Sequence, residues 1–420
     1  MKKIIALILV SMLILTGCGG TGDKDGVKEL TLTLWDEVQA PIIQKNVDKF
    51  NAAHEGEIKV TISQVPWSDY WSKLDASLTT DQAPDILWMN VYLKKYVDGD
   101  TLLAIDDLVS KESFDLDQYV EGRVDAFKQD GKLYALPKGI DSVYVALNEE
   151  LFKKYNVELP KEGWTWEDME KTADELKKAI AAAGGNEYPI AMELDAQPSY
   201  INFLRQNGGY YLSDDNMKTG IGEDKSIAAI QRVVDLMSNG LMAPYTVLSE
   251  TKGTDLFVSG QAGIVFIGSW KASVLNDSTL GQNGNITLIQ MPKMDVDNES
   301  VAGGLGYAIS KNTKHPEAAW EFIKFITNEE SMTLEAEEGI DFPANKAAQE
   351  AYTKGFDNLN AQVIIDAGLT SFPYPANGNF EWTTVVNDAI QLVFAGKADA
   401  SSALKEAQEK ANKIIADAFK

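Results

Sequence analysis

Short apolar segments of two kinds alternate along this chain, and their alternation restricts the possible folds more than any other feature. In residues 29–35, leucine occupies every second position, which is the period of a strand. Residues 42–50 carry apolar side chains at helical spacing, and residues 58–62 return to a strand pattern. Strands that alternate with helices form parallel βαβ units, so the sequence predicts an α/β fold. A chain of 420 residues is too long for one small domain, and we expect at least two lobes.

The alternation continues to the carboxyl terminus. Thr165 and Asp168 have the spacing of a capping box, which predicts a helix that begins there. The apolar run 263–267 predicts a strand, and Pro316 suits the first turn of another helix. A last helix is predicted over residues 404–418, where small and apolar side chains recur at helical spacing.

The amino terminus has the layout of an export signal. Two lysines precede the apolar run Ile4–Leu15, which is too short to cross a bilayer, because a spanning helix needs about 20 residues. Cys18, the single cysteine of the sequence, follows directly after this run and two further residues. This ending resembles a bacterial lipobox, in which the peptide is cut before a cysteine that then carries lipid. We therefore predict a signal peptide over residues 1–17, a lipidated Cys18 and a flexible tether over residues 18–29, and a protein held on the outer side of the cell membrane. The alternative is an ordinary signal peptide with an incidental cysteine.

Charge and residue usage disfavour several classes of protein. Acidic residues outnumber basic ones 63 to 38, which gives a net charge of −25 and argues against a nucleic-acid partner. The sequence contains two histidines, His54 and His315. Two are too few for a histidine-rich metal site, and they give little support for a Ser-His triad. Gly263 and Gly268 have the glycine spacing of a P-loop, but serine and tryptophan follow instead of lysine and serine. We therefore expect no cofactor, no bound metal and no enzymatic activity.

Tryptophan is concentrated at the ends of predicted strands. Four of the nine tryptophans, Trp35, Trp67, Trp88 and Trp270, lie at or just after such an end. Ligands of open parallel sheets bind at the carboxyl edge of the strands. An aromatic face can stack on the C–H face of a pyranose while carboxylates and amides bind the hydroxyls, so these rings favour a neutral sugar as ligand. Packing in the core is the alternative for each ring.

Several motifs occur in an order that is typical of one family. They are Leu34-Trp35-Asp36-Glu37, Ala83-Pro84-Asp85-Ile86, Gly131–Pro137, Leu256–Gly263, Gly268-Ser269-Trp270, Gly303-Gly304 and His315–Phe322. With these motifs in this order, the chain resembles the extracellular solute-binding proteins of bacterial ABC importers. Within them it resembles the carbohydrate-binding group, which is maltose-binding-protein-like. The resemblance covers nearly the whole mature chain. It implies a periplasmic-binding-protein fold of type II, with two discontinuous α/β lobes, a hinge and a central cleft.

The resemblance also implies lobe boundaries and ligand contacts. The first lobe would comprise residues 30–138 and 303–342, and the second lobe residues 139–302 and 343–420. Ligand contacts are implied at strand ends, at a crossover strand and on a glycine loop: Trp35, Glu37, Trp67, Trp88, Asn90, Asp141, Tyr144, Trp270, Gly304 and Trp382. For Asp141 the alternative is a structural hydrogen bond at the hinge. For Trp270 and Trp382 the alternative is core packing.

The implied function is capture of a neutral mono- or oligosaccharide by hinge closure, followed by delivery to the membrane subunits of an ABC importer. The family expectation is a monomer. One competing hypothesis is a secreted carbohydrate-active enzyme, which would need two carboxylates flanking the scissile bond. Two further hypotheses keep the fold: a sensor that presents its liganded state to a receptor, and a binding protein for a cationic solute such as a polyamine.

Overall fold

The structure is a computed structural model that describes residues 26–419. The predicted signal peptide, Cys18 and most of the predicted tether lie outside the described residues. The strands are β1 (Lys28–Leu34), β2 (Ile58–Gln64), β3 (Ile86–Met89), β4 (Lys128–Gln129), β5 (Lys132–Leu133), β6 (Ala135–Asp141), β7 (Val143–Asn148), β8 (Tyr188–Met192), β9 (Ala262–Gly268), β10 (Ile286–Ile289), β11 (Val301–Ile309) and β12 (Phe372–Pro373).

The helices complete the element order. They are α1 (Ala40–Ala53), α2 (Trp67–Ser77), α3 (Leu93–Asp98), α4 (Asp106–Glu112), α5 (Glu149–Lys154), α6 (Trp166–Ala182), α7 (Tyr200–Gln206), α8 (Asp224–Ser238), α9 (Tyr245–Leu248), α10 (Gly253–Val258), α11 (Ala272–Asp277), α12 (Thr279–Gln282), α13 (Pro316–Ile326), α14 (Glu329–Glu337), α15 (Gln349–Tyr352), α16 (Gln362–Leu369), α17 (Glu381–Phe394) and α18 (Ala400–Ala418). Within residues 26–419, none of these helices combines the length and the apolar character that a membrane crossing requires.

The sheet of the first lobe contains β1, β2, β3, β6, β11 and β12. Its order is β12-β11-β3-β1-β2, and β6 also pairs with β11. β1 is parallel to β2 and β3, as the βαβ pattern predicts, whereas β11 is antiparallel to β3 and β6. The alternating leucines of β1 are buried in the core of this lobe, and so is Trp320 on α13.

The sheet of the second lobe has the order β10-β7-β9-β8. β7 is antiparallel to β9 and β10, and β8 is parallel to β9. Helices α6, α8, α17 and α18 contribute buried side chains to the core around this sheet. The predicted capping box is present at the start of α6, where the Asp168 amide donates to Thr165 Oγ1 at 3.1 Å and the Thr165 amide donates to the Asp168 carboxylate at 2.9 Å. The α/β fold with two lobes is confirmed.

The crossovers between the lobes lie side by side. Ser142 alone separates β6 of the first sheet from β7 of the second, and the chain returns from β10 to β11 through residues 290–300. Residues 340–344 run beside β6, where the Ile140 amide donates to Phe342 O at 2.9 Å and the Ala344 amide donates to Lys138 O at 3.0 Å. β12 lies within the segment 343–420 that we predict for the second lobe, yet it pairs with β11 of the first sheet. The predicted lobe boundaries stay a prediction.

A buried ion cluster lies where these crossovers meet. Lys138 is 1% exposed, and its Nζ lies 2.5 Å from Asp341 Oδ2 and 3.2 Å from Glu335 Oε2. The ammonium also donates to Gln39 Oε1 at 3.0 Å, which ties β6 to the start of α1. Burial by itself lowers the pKa of Lys138, but the charges of Asp341 and Glu335 outweigh burial, so the pKa lies above its usual value. Lys138 is therefore charged at neutral pH, and it forms ion pairs with two carboxylates where the crossovers between the lobes meet.

Candidate functional site

An aromatic wall on the first lobe reaches the contact between the lobes through Tyr92. We use this name for Trp35, Trp67, Trp71 and Tyr92. Trp35 directly follows β1, and its ring centroid lies 5.2 Å from that of Trp67 and 5.7 Å from that of Trp71. Trp67 and Trp71 are one turn apart on α2 and therefore share a face of that helix. Trp71 stacks on Tyr92 at 4.3 Å, and Trp67 is 45% exposed, so part of the wall is open to a ligand.

The floor of the space between the lobes is formed by β6 and β11. Gly303 pairs with Asp141 across the two strands. A Cβ atom placed on Gly303 would lie 2.5 Å from Gln197 Nε2 and 3.2 Å from Asp141 Oδ2, so both polar side chains approach the strand closely. Gln197 Nε2 is buried and has no hydrogen-bond partner among the described residues. A buried donor without a partner is costly, which makes it available to a ligand acceptor.

Asp141 is electrostatically unusual. Burial, together with the negative charge of Asp341, raises its pKa from 3.8 to about 7. Lys138 and Arg123 act in the opposite direction, and Asp36 adds a further small rise. Burial also lowers the pKa of Arg123, which the charge of Asp141 opposes. The Asp141 side chain can therefore accept hydrogen bonds as a carboxylate or donate one as a neutral carboxylic acid, depending on pH.

Trp270 belongs to the second-lobe side of the floor. It follows β9, and its ring packs over Gly268, where any Cβ would lie 2.2 Å from the indole. The Ser269 amide donates to Ser142 O at 2.9 Å, which places Trp270 next to the end of β6 that carries Asp141. Gly268 is therefore required for the position of the indole.

A cavity of about 760 Å³ lies between the lobes. Asn90 and Lys94 line it from the first lobe, and Tyr374 and Asn377 line it from the segment before α17. Its floor includes Gly304, and Gly303 borders both this cavity and the Asp141–Gln197 pair. A volume of this size falls within the range of about 300–1,000 Å³ that is common for ligand sites.

The lobes touch each other beside this cavity. Tyr92 of the first lobe stacks face to face on Phe380 of the second, with ring centroids 3.7 Å apart and planes at 16°. Nearby, the aliphatic part of Lys94 lies over Gly378, where a Cβ would be 2.5 Å from Lys94 Cγ. Gly378 has a φ of +82°, a conformation that favours glycine. The segment before α17 thus closes against the first lobe.

The structure places the predicted contact residues in three settings: in the aromatic wall, beside the crossover strand β6, and in the lining of the cavity. Trp35 and Trp67 belong to the aromatic wall, while Asp141 and Trp270 lie at the floor. Two further predicted residues line the cavity, Asn90 and Gly304. Asn90 also accepts a hydrogen bond from the Tyr92 amide at 3.0 Å and so positions the wall. Glu37 is exposed on the loop before α1.

Three predicted contact residues are buried instead. Trp88 is fully buried because all four residues of β3 are covered, and it touches the wall from behind, 5.0 Å from Trp35. Tyr144 is fully buried on β7 within the second-lobe core. Trp382 is 1% exposed and donates to Asn377 Oδ1 at 3.2 Å, so it supports a cavity residue without lining the cavity. In this structure these three rings are core residues, and a direct contact of any of them with a ligand stays a prediction.

Sequence reasoning misses several residues of the site. Position within a helix predicts that Trp71 packs in the core, and no motif singles out Tyr92, Gln197 or Phe380. The i, i+4 spacing of Trp67 and Trp71 is a usable signal for two rings on one face. Gln197 and Phe380 lie outside the helices and strands and meet the site through contacts far apart in sequence, which no local pattern shows. Across residues 26–419, no group of three or more acidic, histidine or cysteine side chains is arranged to hold a metal ion.

Two α/β lobes, adjacent crossovers and a ligand-sized cavity between them define a class, the two-lobed binding proteins that close around a ligand. Residues 45–361 match the family described as bacterial extracellular solute-binding protein, and the chain belongs to that family.

Curated relatives and a solved structure agree with this membership. The galactooligosaccharide-binding protein of Bacillus subtilis is 27% identical, over 94% of this chain and 93% of that protein. The maltodextrin-binding protein of the same organism is 24% identical, over 99% of this chain and 96% of that protein. An ABC substrate-binding protein of Listeria monocytogenes in complex with cycloalternan has the same fold, with a TM-score of 0.85, 22% identity, and coverage of 93% of this chain and 99% of that one.

Proposed function

We propose that this protein captures a neutral sugar, in particular an oligosaccharide, between its lobes and delivers it to the membrane subunits of an ABC importer. The observation that carries the proposal is a partly exposed aromatic wall on the first lobe together with a half-buried carboxylate and an unpartnered amide beside Gly303, which lines the cavity between the lobes. Rings offer faces for the C–H groups of a pyranose, and Asp141 and Gln197 offer hydrogen bonds to its hydroxyls. The two Bacillus relatives, a galactooligosaccharide-binding protein and a maltodextrin-binding protein, support the same class of ligand.

We expect the two lobes to close around the ligand because the closed arrangement binds the ligand more tightly than the open one. A ligand that touches the wall on the first lobe and Trp270 on the second stabilises the closed arrangement more than the open one. The nearly direct connection of β6 to β7 through Ser142 leaves few backbone torsions to absorb this motion. No covalent step is required, and we assign no enzymatic role.

Binding is tested by calorimetric titration of the chain from Gly19 onward, which contains every residue of both cores. The ligands are galactotriose, maltotriose and cycloalternan, with spermidine and glucose 6-phosphate as charged comparators. We expect micromolar affinity for at least one neutral sugar. The variant Trp67→Ala should lose about tenfold, which corresponds to about 1.4 kcal/mol of stacking.

The matched control is Leu392→Ala, an apolar truncation at a side chain that is 47% exposed on α17. It should bind like the wild type. Saturation by spermidine or by the sugar phosphate, with no response to any neutral sugar, would overturn the sugar proposal and leave the family membership intact.

We also propose that Cys18 carries the lipid that anchors the protein outside the cell. The support is the apolar run followed by the single cysteine of the sequence. The test is incorporation of labelled palmitate in a bacterial host and separation of cells from medium. The wild type should label and sediment with membranes, whereas Cys18→Ser should remain unlabelled. Labelling of the serine variant would contradict the assignment.

A further inference from the structure

Three cationic side chains line the cavity between the lobes, although the chain as a whole carries a net charge of −25. Two of them have a carboxylate partner. Lys94 Nζ lies 2.8 Å from Asp98 Oδ2, and Lys128 Nζ lies 2.7 Å from Asp125 Oδ1. The third, Arg123, has no carboxylate within ion-pair distance in the part of the chain that the structure describes.

The guanidinium of Arg123 also has few hydrogen-bond acceptors. Its Nη2 donates to Gly368 O at the long distance of 3.5 Å, and this is the only hydrogen bond of the side chain within residues 26–419. A guanidinium carries five N–H donors, so most of them are left for water or a ligand. The side chain is half-buried, and burial lowers its pKa, which shows that water solvates the charge only in part. An acceptor oxygen of a ligand would therefore form a charge-assisted hydrogen bond here.

Asp141 is the carboxylate that acts on Arg123 without touching it. The charge of Asp141 raises the pKa of Arg123, and the charge of Arg123 lowers the pKa of Asp141. The two side chains nevertheless form no ion pair among the described residues. Asp141 pairs with Gly303 across β6 and β11, and Gly303 lines the same cavity as Arg123. The two opposite charges thus interact at a distance, and each still has the capacity to bind a ligand group.

We propose that Arg123 and Asp141 act as a pair that selects a hydroxylated, uncharged ligand and disfavours both cations and anions in the cleft. This inference rests on the proposed function and concerns the same site. A hydroxyl group both donates and accepts, so it can donate to the Asp141 carboxylate and accept from the Arg123 guanidinium. An ammonium group is attracted by Asp141 but repelled by Arg123, and a carboxylate or phosphate group meets the reverse. Each residue thus supplies the repulsion against one class of charged solute.

The experiment titrates neutral, cationic and anionic solutes by calorimetry into the chain from Gly19 onward, at pH 8, where Asp141 with its pKa of about 7 is mostly ionised. The probes are galactotriose and maltotriose, spermidine, and trigalacturonate. The proteins are the wild type, Arg123→Met, Asp141→Asn and the control Lys132→Met. Lys132 is an exposed lysine that pairs with the cavity-lining Gln129 across β4 and β5 but does not line the cavity itself. Thermal melts verify that each variant is folded, and either site variant is sufficient if the other fails to fold.

The readout is the change in affinity for the two charged probes, which should have opposite signs in the two site variants. Arg123→Met should bind spermidine about tenfold more tightly and trigalacturonate more weakly than the wild type, and it should bind the neutral sugars about tenfold more weakly because a charge-assisted hydrogen bond is lost. Asp141→Asn should bind trigalacturonate about tenfold more tightly and spermidine more weakly. Lys132→Met should differ from the wild type by no more than about twofold for every probe.

A residue with only a structural role would change the affinities for all probes in the same direction. Parallel changes for spermidine and trigalacturonate, no change from the wild type, or the expected signs in only one of two folded site variants would each overturn the inference. The proposed function would then still stand, because it depends on binding of a neutral sugar by the wild type. No binding of either neutral sugar to the wild type would overturn both.

Discussion

Removal of the buried ammonium at the joint between the lobes should destabilise the protein strongly. Lys138 is 1% exposed and faces two carboxylates that are at most 9% exposed, Asp341 and Glu335. Lys138→Met keeps most of the side-chain volume but leaves both carboxylates buried without a cation. Loss of one partner from a buried ion pair costs about 3–5 kcal/mol. That is a large part of the about 5–15 kcal/mol by which native proteins are stable.

The two carboxylates determine how the stability loss caused by Lys138→Met changes with pH. Burial already raises the pKa values of Asp341 and Glu335 despite Lys138, and without the lysine they should rise further. An acid whose pKa is higher in the folded state binds extra protons there, so stability falls as pH rises through that window. The loss caused by Lys138→Met should therefore be larger at pH 8 than at pH 5.

The assay is urea unfolding followed by tryptophan fluorescence at both pH values. Lys311→Met serves as the control, because Lys311 is 47% exposed in its pair with Asp100 and should change stability by less than about 1 kcal/mol. The triple variant Lys138→Met, Glu335→Gln, Asp341→Asn should recover most of the loss, since no unpaired charge remains. If Lys138→Met costs no more than Lys311→Met, the reasoning about the buried cluster is refuted.

Three further predictions concern the cleft and one helix start. With a pKa of about 7 when folded and 3.8 as its ordinary value, Asp141 should make the free energy of unfolding fall between pH 4 and pH 7. Asp141→Asn should flatten this part of the profile in urea melts, and an unchanged slope would exclude Asp141 as its source. Gly303→Ala should weaken sugar binding more than tenfold with little change in melting temperature, because its Cβ would displace Gln197 and Asp141 at the floor. Unaltered affinity in calorimetry would show that these side chains are not contacts. Thr165→Ala should cost about 1 kcal/mol in urea melts by removing the cap of α6, whereas Thr165→Ser should cost less.

The elements that sequence predicts well are those whose signals are local. The alternating leucines lie on the predicted strand β1, where they are buried, and the capping box at Thr165 begins α6. These patterns reflect contacts within a few residues, so they can be recognised without knowledge of the remaining chain.

The contact residues are harder to predict, because position at a strand end does not specify which way a side chain points. Trp35 lies after the last residue of β1 and is partly exposed, whereas Trp88 lies within β3, which is covered on both faces. The stack of Tyr92 on Phe380 joins two loops that meet only after both lobes have formed. Such a contact has no periodic signature, and a three-dimensional structure is needed to find it.

The position of β11 has a consequence for how the chain acquires its fold. This strand lies inside the first sheet, between β3 and β12 and also paired with β6, although it comes more than 150 residues after β6. The first sheet therefore lacks this strand until residue 309 has left the ribosome, and the pairing of β11 joins segments distant in sequence, which is slow. The second sheet needs residues 143–289 alone, so the second lobe can begin to fold before the strands of the first lobe are all made.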